Sequence, residues 1–493
     1  MKFYHYGSDT RAEIGRILGK LEFRSGLALA KFLGCLVAAC LIAFLPEYPG
    51  LDDGGRWTLA IVGFCGLLWM TEALPAFAVA LLAIGLQILI LGRPGGVMAE
   101  AEDVKAWERF VEPWASPSMW LFFGGFVLAR AASRTGLDSS LASRLMLLGR
   151  GDARQLLLVS MLTTFIFSMF LSNTATAAMM VAILGPVLMN GAGEKASRAM
   201  MIGVAFSANL GGMGTIIGTP PNAIASALLA EHAPIDFLRW IAFGFPPAIV
   251  MVMGLWWMLS KQVQGAEFQL DLRSDPSDSK MSEMRPDQME DVARWQKGVL
   301  VLVFLFTVGL WLSGGWHGIP TAVVSFFPIV ALSITGVIRA VDIRSLNWDI
   351  LILLAGGLSL GVGVAESGLA DWIAGQIEQF PLPAWALTAA FALVTFVLSN
   401  FMSNTAASNI LIPVGLAAGL KEGGEPEAIA FSISMALAAS AAMVLPISTP
   451  PNAIAYSGDR LAVKDFLVPG LIVGLVGVPL AVLWTRLMAG WMF

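Results

Sequence analysis

Two polar phrases, each present twice, are the residues of this 493-residue chain best suited to bind a ligand. The tripeptide Ser-Asn-Thr occurs in LSNTATAAMM at 171–180 and in MSNTAASNIL at 402–411. The phrase Thr-Pro-Pro-Asn occurs in GTIIGTPPNAIA at 214–225 and in VLPISTPPNAIA at 444–455. All four lie in otherwise apolar sequence, where a polar group without a partner is costly. Their pairing therefore favours a binding site over helix–helix contacts alone.

The Ser-Asn-Thr phrases are suited to an anion. A helix that begins there presents unpaired backbone N–H groups and the positive end of its dipole. The side chains of Asn173, Thr174, Asn404 and Thr405 add further donors. Such a helix start binds carboxylate or sulfate oxygens well.

The Thr-Pro-Pro-Asn phrases are suited to a cation. The prolines after Thr219 and Thr449 interrupt a helix and free nearby carbonyl groups. Carbonyl, hydroxyl and amide oxygens are hard neutral ligands, which suit sodium better than transition metals. Because 155–194 and 384–420 contain no Lys or Arg, a bound cation would supply the positive charge next to a dianion.

The elements that hold these phrases are predicted to be membrane-spanning helices. The chain is 57% hydrophobic and 13% charged, whereas soluble domains carry about 25% charged residues. Its apolar runs have the length of about 20 residues that a crossing helix needs. Uninterrupted spans are expected near 28–46, 57–75, 76–93, 118–135, 236–260, 298–314, 319–337, 349–367 and 463–485.

Four further apolar segments carry the polar phrases. Those at 197–229 and 426–457 are predicted to be crossings broken at the two prolines. Those at 155–190 and 384–420 are too long for one crossing and are predicted to be re-entrant hairpins with Ser-Asn-Thr at the tip. The sequence thus predicts an all-α polytopic membrane protein with eleven crossings and two hairpins.

The charge pattern predicts the orientation. With the N-terminus in the cytoplasm and both hairpins re-entrant, most of the 30 Lys and Arg residues lie on the cytoplasmic side, as the positive-inside rule requires. The C-terminus then lies outside the cytoplasm. A chain without long loops favours a bacterial inner membrane.

The chain also contains an internal repeat. The segment 119–137 resembles 350–369, and all three pairs of related phrases are about 230 residues apart. We expect an N-terminal tail and first helix, a first repeat, a cytoplasmic linker and a second repeat, at 1–56, 57–260, 261–297 and 298–493. Because the predicted orientation turns the second repeat upside down, the repeats are inverted, as in many transporters. The pairs Gly124-Gly125 and Gly356-Gly357 are predicted to allow close helix packing.

In these motifs the sequence resembles the divalent-anion/sodium symporter family (DASS), which transports dicarboxylates, citrate and sulfate. The resemblance covers nearly the whole chain. It implies homodimers in which each protomer has a scaffold domain and a transport domain. The transport domain would hold both hairpins and both broken helices, and would move as an elevator.

The resemblance also implies the binding residues. One sodium site would comprise Ser168, Ser172, Asn173 and Gly218, and the second Ser399, Met402, Asn404 and Ser448, with Met402 and Ser448 contributing backbone carbonyls. The substrate would contact Asn173, Thr174, Thr219, Asn404, Thr405 and Thr449.

The expected function is symport of a C4 dicarboxylate such as succinate, malate or fumarate with co-transported sodium ions. Symport of sulfate or citrate, and sodium-independent dicarboxylate exchange, remain open. An enzyme is disfavoured because the predicted spans hold no His and the repeat core holds no paired carboxylates. A channel fits paired hairpins around a closed site less well. Nothing in the sequence indicates a nucleic-acid partner.

Overall fold

The structure, a computed structural model, describes residues 7–44, 47–149, 152–189, 193–265, 294–377, 382–457 and 460–493. Within these ranges every regular element is a helix and no strand occurs, which confirms the expected all-α class. Most of the predicted linker at 261–297 lies outside the described residues, so its prediction stays untested.

The first half of the chain forms α1 (Gly7–Phe44), α2 (Asp53–Thr71), α3 (Ala76–Leu86), α4 (Pro117–Thr135), α5 (Leu137–Met146), α6 (Ala153–Ser168), α7 (Asn173–Met189), α8 (Glu194–Gly212), α9 (Pro220–Leu229) and α10 (Phe237–Ser260). A π-helix, Gln87–Gly92, directly continues α3. Short 3₁₀ turns are formed by Ala106–Phe110, Glu112–Ala115 and Leu147–Gly149.

The second half forms α11 (Arg294–Leu312), α12 (Gly314–His317), α13 (Thr321–Val324), α14 (Phe326–Ile334), α15 (Ala340–Arg344), α16 (Trp348–Glu366), α17 (Leu369–Ile377), α18 (Ala384–Ser399), α19 (Asn404–Gly423), α20 (Glu425–Ser440), α21 (Pro450–Tyr456) and α22 (Val463–Met492).

Five of the described helices are long and apolar enough to cross a membrane on length and composition. These five segments are Gly26–Phe44, Phe237–Ser260, Arg294–Leu312, Trp348–Glu366 and Val463–Met492. Other apolar segments are shorter because they are interrupted. The predicted number of eleven crossings therefore stays a proposal, since several crossings would have to be assembled from two helices.

The segment 319–337, predicted to be one span, is divided into α13 and α14 at Ser325. Pro328 has no N–H to donate to the carbonyl of Val324, four residues earlier, so the helical ladder is interrupted there. Ser325 also lies against α4. A Cβ added to Gly124 would come within 2.8 Å of its carbonyl oxygen.

Aspartate side chains at the ends of connecting segments cap the N-termini of the helices that follow. Asp236 accepts a hydrogen bond from the N–H of Arg239 at 2.7 Å, and Asp52 accepts one from Gly55 at 2.7 Å. Asp152 caps α6 in the same way. Such caps typically contribute about 1 kcal/mol each and fix where the apolar segments start.

Helices of the two halves exchange partners in the interior. The short helix α9 of the first half packs against α19 and α20 of the second. Correspondingly, α21 of the second half packs against α7 and α8 of the first. This reciprocal exchange brings the helix breaks of both halves into one region. It is the arrangement that a pseudo-twofold relation between repeats would produce.

The prediction that the glycine pairs allow close packing is confirmed. A Cβ on Gly356 would lie 2.5 Å from the Cβ of Ala80, and a Cβ on Gly357 would overlap the side-chain amide of Asn409. These glycines therefore let α16 approach both α3 and α19 closely.

Gly211→Ala is expected to prevent stable folding. Gly211 lies where α8 crosses α6, and an added Cβ would collide with the backbone carbonyl of Phe165, whose Cα would be only 2.9 Å away. Backbone atoms cannot rotate aside, so one of the two helices must move, at a cost of about 1–3 kcal/mol or more. The measurement is the yield of monodisperse protein and its melting temperature in detergent. Gly254→Ala, on the exposed face of α10 with no atom within 4 Å, is the matched control. Equal yields and melting temperatures for the two variants would contradict this packing.

Candidate functional site

Both Ser-Asn-Thr phrases lie at a break between two helices. α6 ends at Ser168 and α7 begins at Asn173, while α18 ends at Ser399 and α19 begins at Asn404. The backbone N–H groups of the first turns of α7 and α19 therefore have no intrahelical acceptor. This is the local geometry on which anion binding was predicted.

Both Thr-Pro-Pro-Asn phrases start a short helix, and the Asn of each phrase anchors the preceding turn. Asn222 Nδ2 donates to the carbonyls of Gly212 at 2.9 Å and Thr215 at 2.7 Å. Asn452 Nδ2 donates to the carbonyls of Met443 at 2.9 Å and Leu445 at 3.0 Å. Some carbonyls freed by the helix breaks are thus bound by these amides. The sequence-based prediction had treated the freed carbonyls as available to a cation.

One cavity of about 510 Å³ joins the four phrases. It is lined by all six residues predicted to contact the substrate, namely Asn173, Thr174, Thr219, Asn404, Thr405 and Thr449. Ser172, Gly218 and Ser448 of the predicted sodium sites also line it. Ser168, Ser399 and Met402 lie buried behind this lining. Residues that are far apart in sequence therefore meet at one place.

The first predicted sodium site contains a close group of oxygen atoms. Ser168 Oγ lies 2.6 Å from Asn173 Oδ1 and also 2.6 Å from the carbonyl oxygen of Ala208. A hydroxyl group has one proton, so it donates to only one of these acceptors. Three oxygens at this spacing are a donor set that a hard cation would stabilise. Ala208 was not among the predicted residues.

The second predicted sodium site contains buried oxygens without partners. Ser399 Oγ and Asn404 Oδ1 have no hydrogen-bond partner among the described residues. Leaving such atoms unsatisfied costs about 1–3 kcal/mol each. Their hydroxyl and amide chemistry fits a sodium ion. Ser448 Oγ, in contrast, lies 3.1 Å from both Asn400 oxygens, which leaves only its backbone carbonyl for the predicted role.

Sequence reasoning missed two residues that link the halves of the cavity. Asn209 of α8 donates from Nδ2 to Thr449 Oγ1 at 3.0 Å. Ser440 of α20 lies 3.2 Å, Oγ to Oγ, from Thr219. Asn209 precedes Thr219 by ten residues and Ser440 precedes Thr449 by nine, and the two differ in type, so the comparison of the repeats gave no signal for them. Each holds the threonine of the opposite half.

The cavity is also less free of basic groups than the hairpin sequences indicated. Arg130 of α4 lines it, together with Asp138. The Arg130 guanidinium forms an ion pair with Asp342 of α15 at 3.0 Å, and Arg134 pairs with the second oxygen of the same carboxylate at 3.0 Å. Positive charge at the cavity wall therefore comes from outside the hairpins, where the sequence argument did not look.

Comparisons with known proteins agree with this architecture. A family model described as "Citrate transporter" matches residues 66–436 and 310–491. An uncharacterized transporter of Haemophilus influenzae is 30% identical over 454 residues, covering 88% of this chain and 91% of its own. A protein named sodium-dependent dicarboxylate transporter SdcS, from Staphylococcus saprophyticus, is 29% identical and covers 93% of this chain and 90% of its own.

Two solved structures share the fold at low sequence identity. The YdaH transporter of Alcanivorax borkumensis aligns with a TM-score of 0.51 at 13% identity, over 87% of this chain and 98% of its own. MtrF of Neisseria gonorrhoeae, described as an antimetabolite efflux pump, gives 0.52 at 13% identity, over 92% and 97%. These structures support the membrane-transporter fold and nothing about the substrate. The extent of the family match and the curated relatives show that the chain is a multi-pass membrane protein of the divalent-anion/sodium symporter family, the family of the citrate and dicarboxylate transporters.

Proposed function

We propose that the protein transports a C4 dicarboxylate, such as succinate, malate or fumarate, together with sodium. The observation that carries this proposal is the cavity in which both Ser-Asn-Thr helix starts and both Thr-Pro-Pro turns meet. A dianion with two carboxylates would place one at each helix start, where N–H groups and dipoles favour negative charge. The named dicarboxylate relatives support the same substrate class.

Sodium coupling follows from the oxygens around the cavity. The predicted sodium residues provide hydroxyl, amide and carbonyl oxygens but no carboxylate, so each bound ion keeps its full charge. Asn173 and Asn404 belong to both a sodium site and the substrate site. A bound ion would therefore order the residues that contact the anion, and its charge would attract the anion directly. Binding of either would strengthen binding of the other.

The mechanism we propose is an elevator. A transport domain would comprise α6–α9 and α18–α21, which interlock through the exchanged packing of α9 and α21. α2, α3, α4 and α16 would belong to the scaffold, with the close contact of α16 and α19 as part of the sliding surface. Homodimers in a bacterial inner membrane, with a cytoplasmic N-terminus and an extracytoplasmic C-terminus, complete the proposal.

Citrate is the second candidate substrate, because the matching family model carries that description. Citrate has three carboxyl groups, and its doubly charged form would present the same pair of carboxylates to the two helix starts. Competition between citrate and labelled succinate distinguishes the two substrates.

Uptake of labelled succinate into proteoliposomes tests the proposal. An inward sodium gradient is expected to drive accumulation above the external concentration, whereas an equal potassium gradient gives only equilibration at the rate of empty liposomes. Uptake that is independent of sodium but requires succinate inside the vesicles would show an exchanger instead. No sodium-driven uptake of succinate, malate, fumarate or citrate by folded protein would reject the proposal.

A further inference from the structure

The two threonines of the Thr-Pro-Pro-Asn phrases have different hydrogen-bond environments, although their sequences are the same. Thr449 caps α21 by accepting a hydrogen bond from the N–H of Asn452 at 3.4 Å. Thr219 occupies the same position before α9 and makes no such bond. Both side chains are more than nine-tenths buried and line the cavity. A ligand in the cavity would therefore contact two threonines that differ in their hydrogen bonding.

Thr449 is held as a hydrogen-bond donor. Asn452 Nδ2 is anchored on two carbonyl groups, so its Oδ1 is the atom that faces Asn209, at 3.2 Å. That acceptor fixes the amide orientation of Asn209, whose Nδ2 also donates to Thr449 Oγ1. The Thr449 oxygen thus accepts two hydrogen bonds. Its own proton is left to point into the cavity, where a carboxylate would accept it.

Thr219 is held as an acceptor. Its partner Ser440 donates its only proton to the carbonyl of Ala436, one turn earlier, at 3.1 Å. When Ser440 donates to this carbonyl, its oxygen accepts the bond to Thr219, and the Thr219 proton is used there. The lone pairs of Thr219 Oγ1 remain for the cavity. Nearby, Asn222 Oδ1 is buried and has no hydrogen-bond partner among the described residues, whereas Asn452 Oδ1 accepts from Asn209.

We propose that the site has a hydrogen-bond donor at one end and an acceptor at the other, and that it selects a 2-hydroxydicarboxylate. Thr449 donates to a carboxylate, and Thr219 accepts from the substrate hydroxyl. Asn209 and Ser440 act as positioning residues that set these opposite roles. The inference rests on the proposed transport of dicarboxylates. A substrate without a donor would leave the Thr219 oxygen unpaired, and a substituent that only accepts would be repelled by it.

Three substrates that differ in the substituent on one carbon test whether Thr219 acts as a hydrogen-bond acceptor. L-Malate carries a hydroxyl donor, succinate carries hydrogen, and 2-fluorosuccinate carries an acceptor that cannot donate. In the wild type, KM is expected to rise in the order L-malate, succinate, 2-fluorosuccinate, with about a 10-fold preference for L-malate over succinate from one hydrogen bond. Equal KM values for L-malate and 2-fluorosuccinate would overturn the inference.

Substitutions then locate the effect. Thr219→Val removes the acceptor and should reduce the L-malate preference to about 1. Ser440→Ala releases the Thr219 proton, so Thr219 could also donate, and the difference in KM between L-malate and 2-fluorosuccinate should become smaller. Thr449→Val should raise KM for all three substrates by a similar factor. Thr219→Ser keeps the hydroxyl and should keep the preference. Ser432→Ala is the matched control, because Ser432 is a fully buried serine on the same helix that does not line the cavity.

The outcomes separate this inference from the proposed function. If dicarboxylates are transported but the preference is the same in the wild type, Thr219→Val and Ser440→Ala, the inference fails alone. It also fails if these substitutions change the half-saturating sodium concentration while the preference stays constant, since the lone pairs would then serve a cation. If the folded wild type transports none of the three substrates and neither fumarate nor citrate, the proposed function fails and the inference with it.

Discussion

Asn404→Ala is expected to reduce sodium-driven dicarboxylate uptake about 100-fold or more while leaving the protein folded. Asn404 begins α19 at the cavity, and its buried Oδ1 has no hydrogen-bond partner in the described part of the chain. The proposed mechanism gives this side chain to both the second sodium ion and the substrate. Losing one hydrogen bond or ligand to a charged group costs about 1.5–3 kcal/mol, and two such losses at coupled sites reinforce each other.

The measurement is the initial rate of uptake as a function of both sodium and substrate concentration. The half-saturating concentrations of both should rise together, because one side chain serves two sites. Asn347→Ala is the matched control: Asn347 lines the same cavity from the start of α16 but makes no capping bond there. We expect less than about a 3-fold change for this control, as for a surface substitution. If Asn404→Ala altered succinate affinity with sodium affinity constant, the shared role of Asn404 would be wrong.

Asp342→Asn is expected to cause the largest loss of stability among charge-neutralising substitutions at the described ion pairs. The Asp342 side chain is 3% exposed and pairs with Arg130 and Arg134 of α4. It also accepts the N–H of Arg339 at 3.0 Å, which caps α15. Neutralising a buried carboxylate shared by two guanidinium groups costs about 3–5 kcal/mol. The asparagine has nearly the same shape, so the effect reports the lost charge together with the loss of one accepting oxygen.

Thermal unfolding in detergent measures this effect, with Glu194→Gln as the matched control. Glu194 pairs with Arg198 on one turn of α8, and its side chain is 75% exposed. Exposed pairs of this kind contribute about 0–1 kcal/mol, so the control should melt close to the wild type. Similar melting temperatures for the two variants would show that the Asp342 cluster is not a structural link.

The sequence was sufficient to predict the features that depend on neighbouring residues. Apolar runs of membrane-crossing length, two consecutive prolines and Ser-Asn-Thr within an uncharged run are local patterns. They predicted a break within each of the four segments that carry the phrases, and the phrases stand where α7, α9, α19 and α21 begin. The repetition of the phrases at a constant interval predicted that the binding residues come in pairs.

Some local signals were still too weak. The division of 319–337 at Ser325 depends on Pro328 and on the close approach of Gly124, and neither is decisive alone. The π-helix Gln87–Gly92 looked like an ordinary continuation of α3. Apolar composition is compatible with a continuous or an interrupted helix, so the packing neighbours decide between them.

Only the tertiary structure decided which residues of the two repeats meet in the site and in which direction Thr219 and Thr449 form their hydrogen bonds. Asn209 and Thr449 are 240 residues apart, and Thr219 and Ser440 are 221 apart. Arg130 reaches the cavity from a helix that carries none of the repeated polar phrases. Sequence periodicity encodes the face that a helix buries, but not the helix that covers it. Two identical Thr-Pro-Pro-Asn phrases can therefore differ in hydrogen-bond direction, because that direction is set by side chains on the opposite half of the fold.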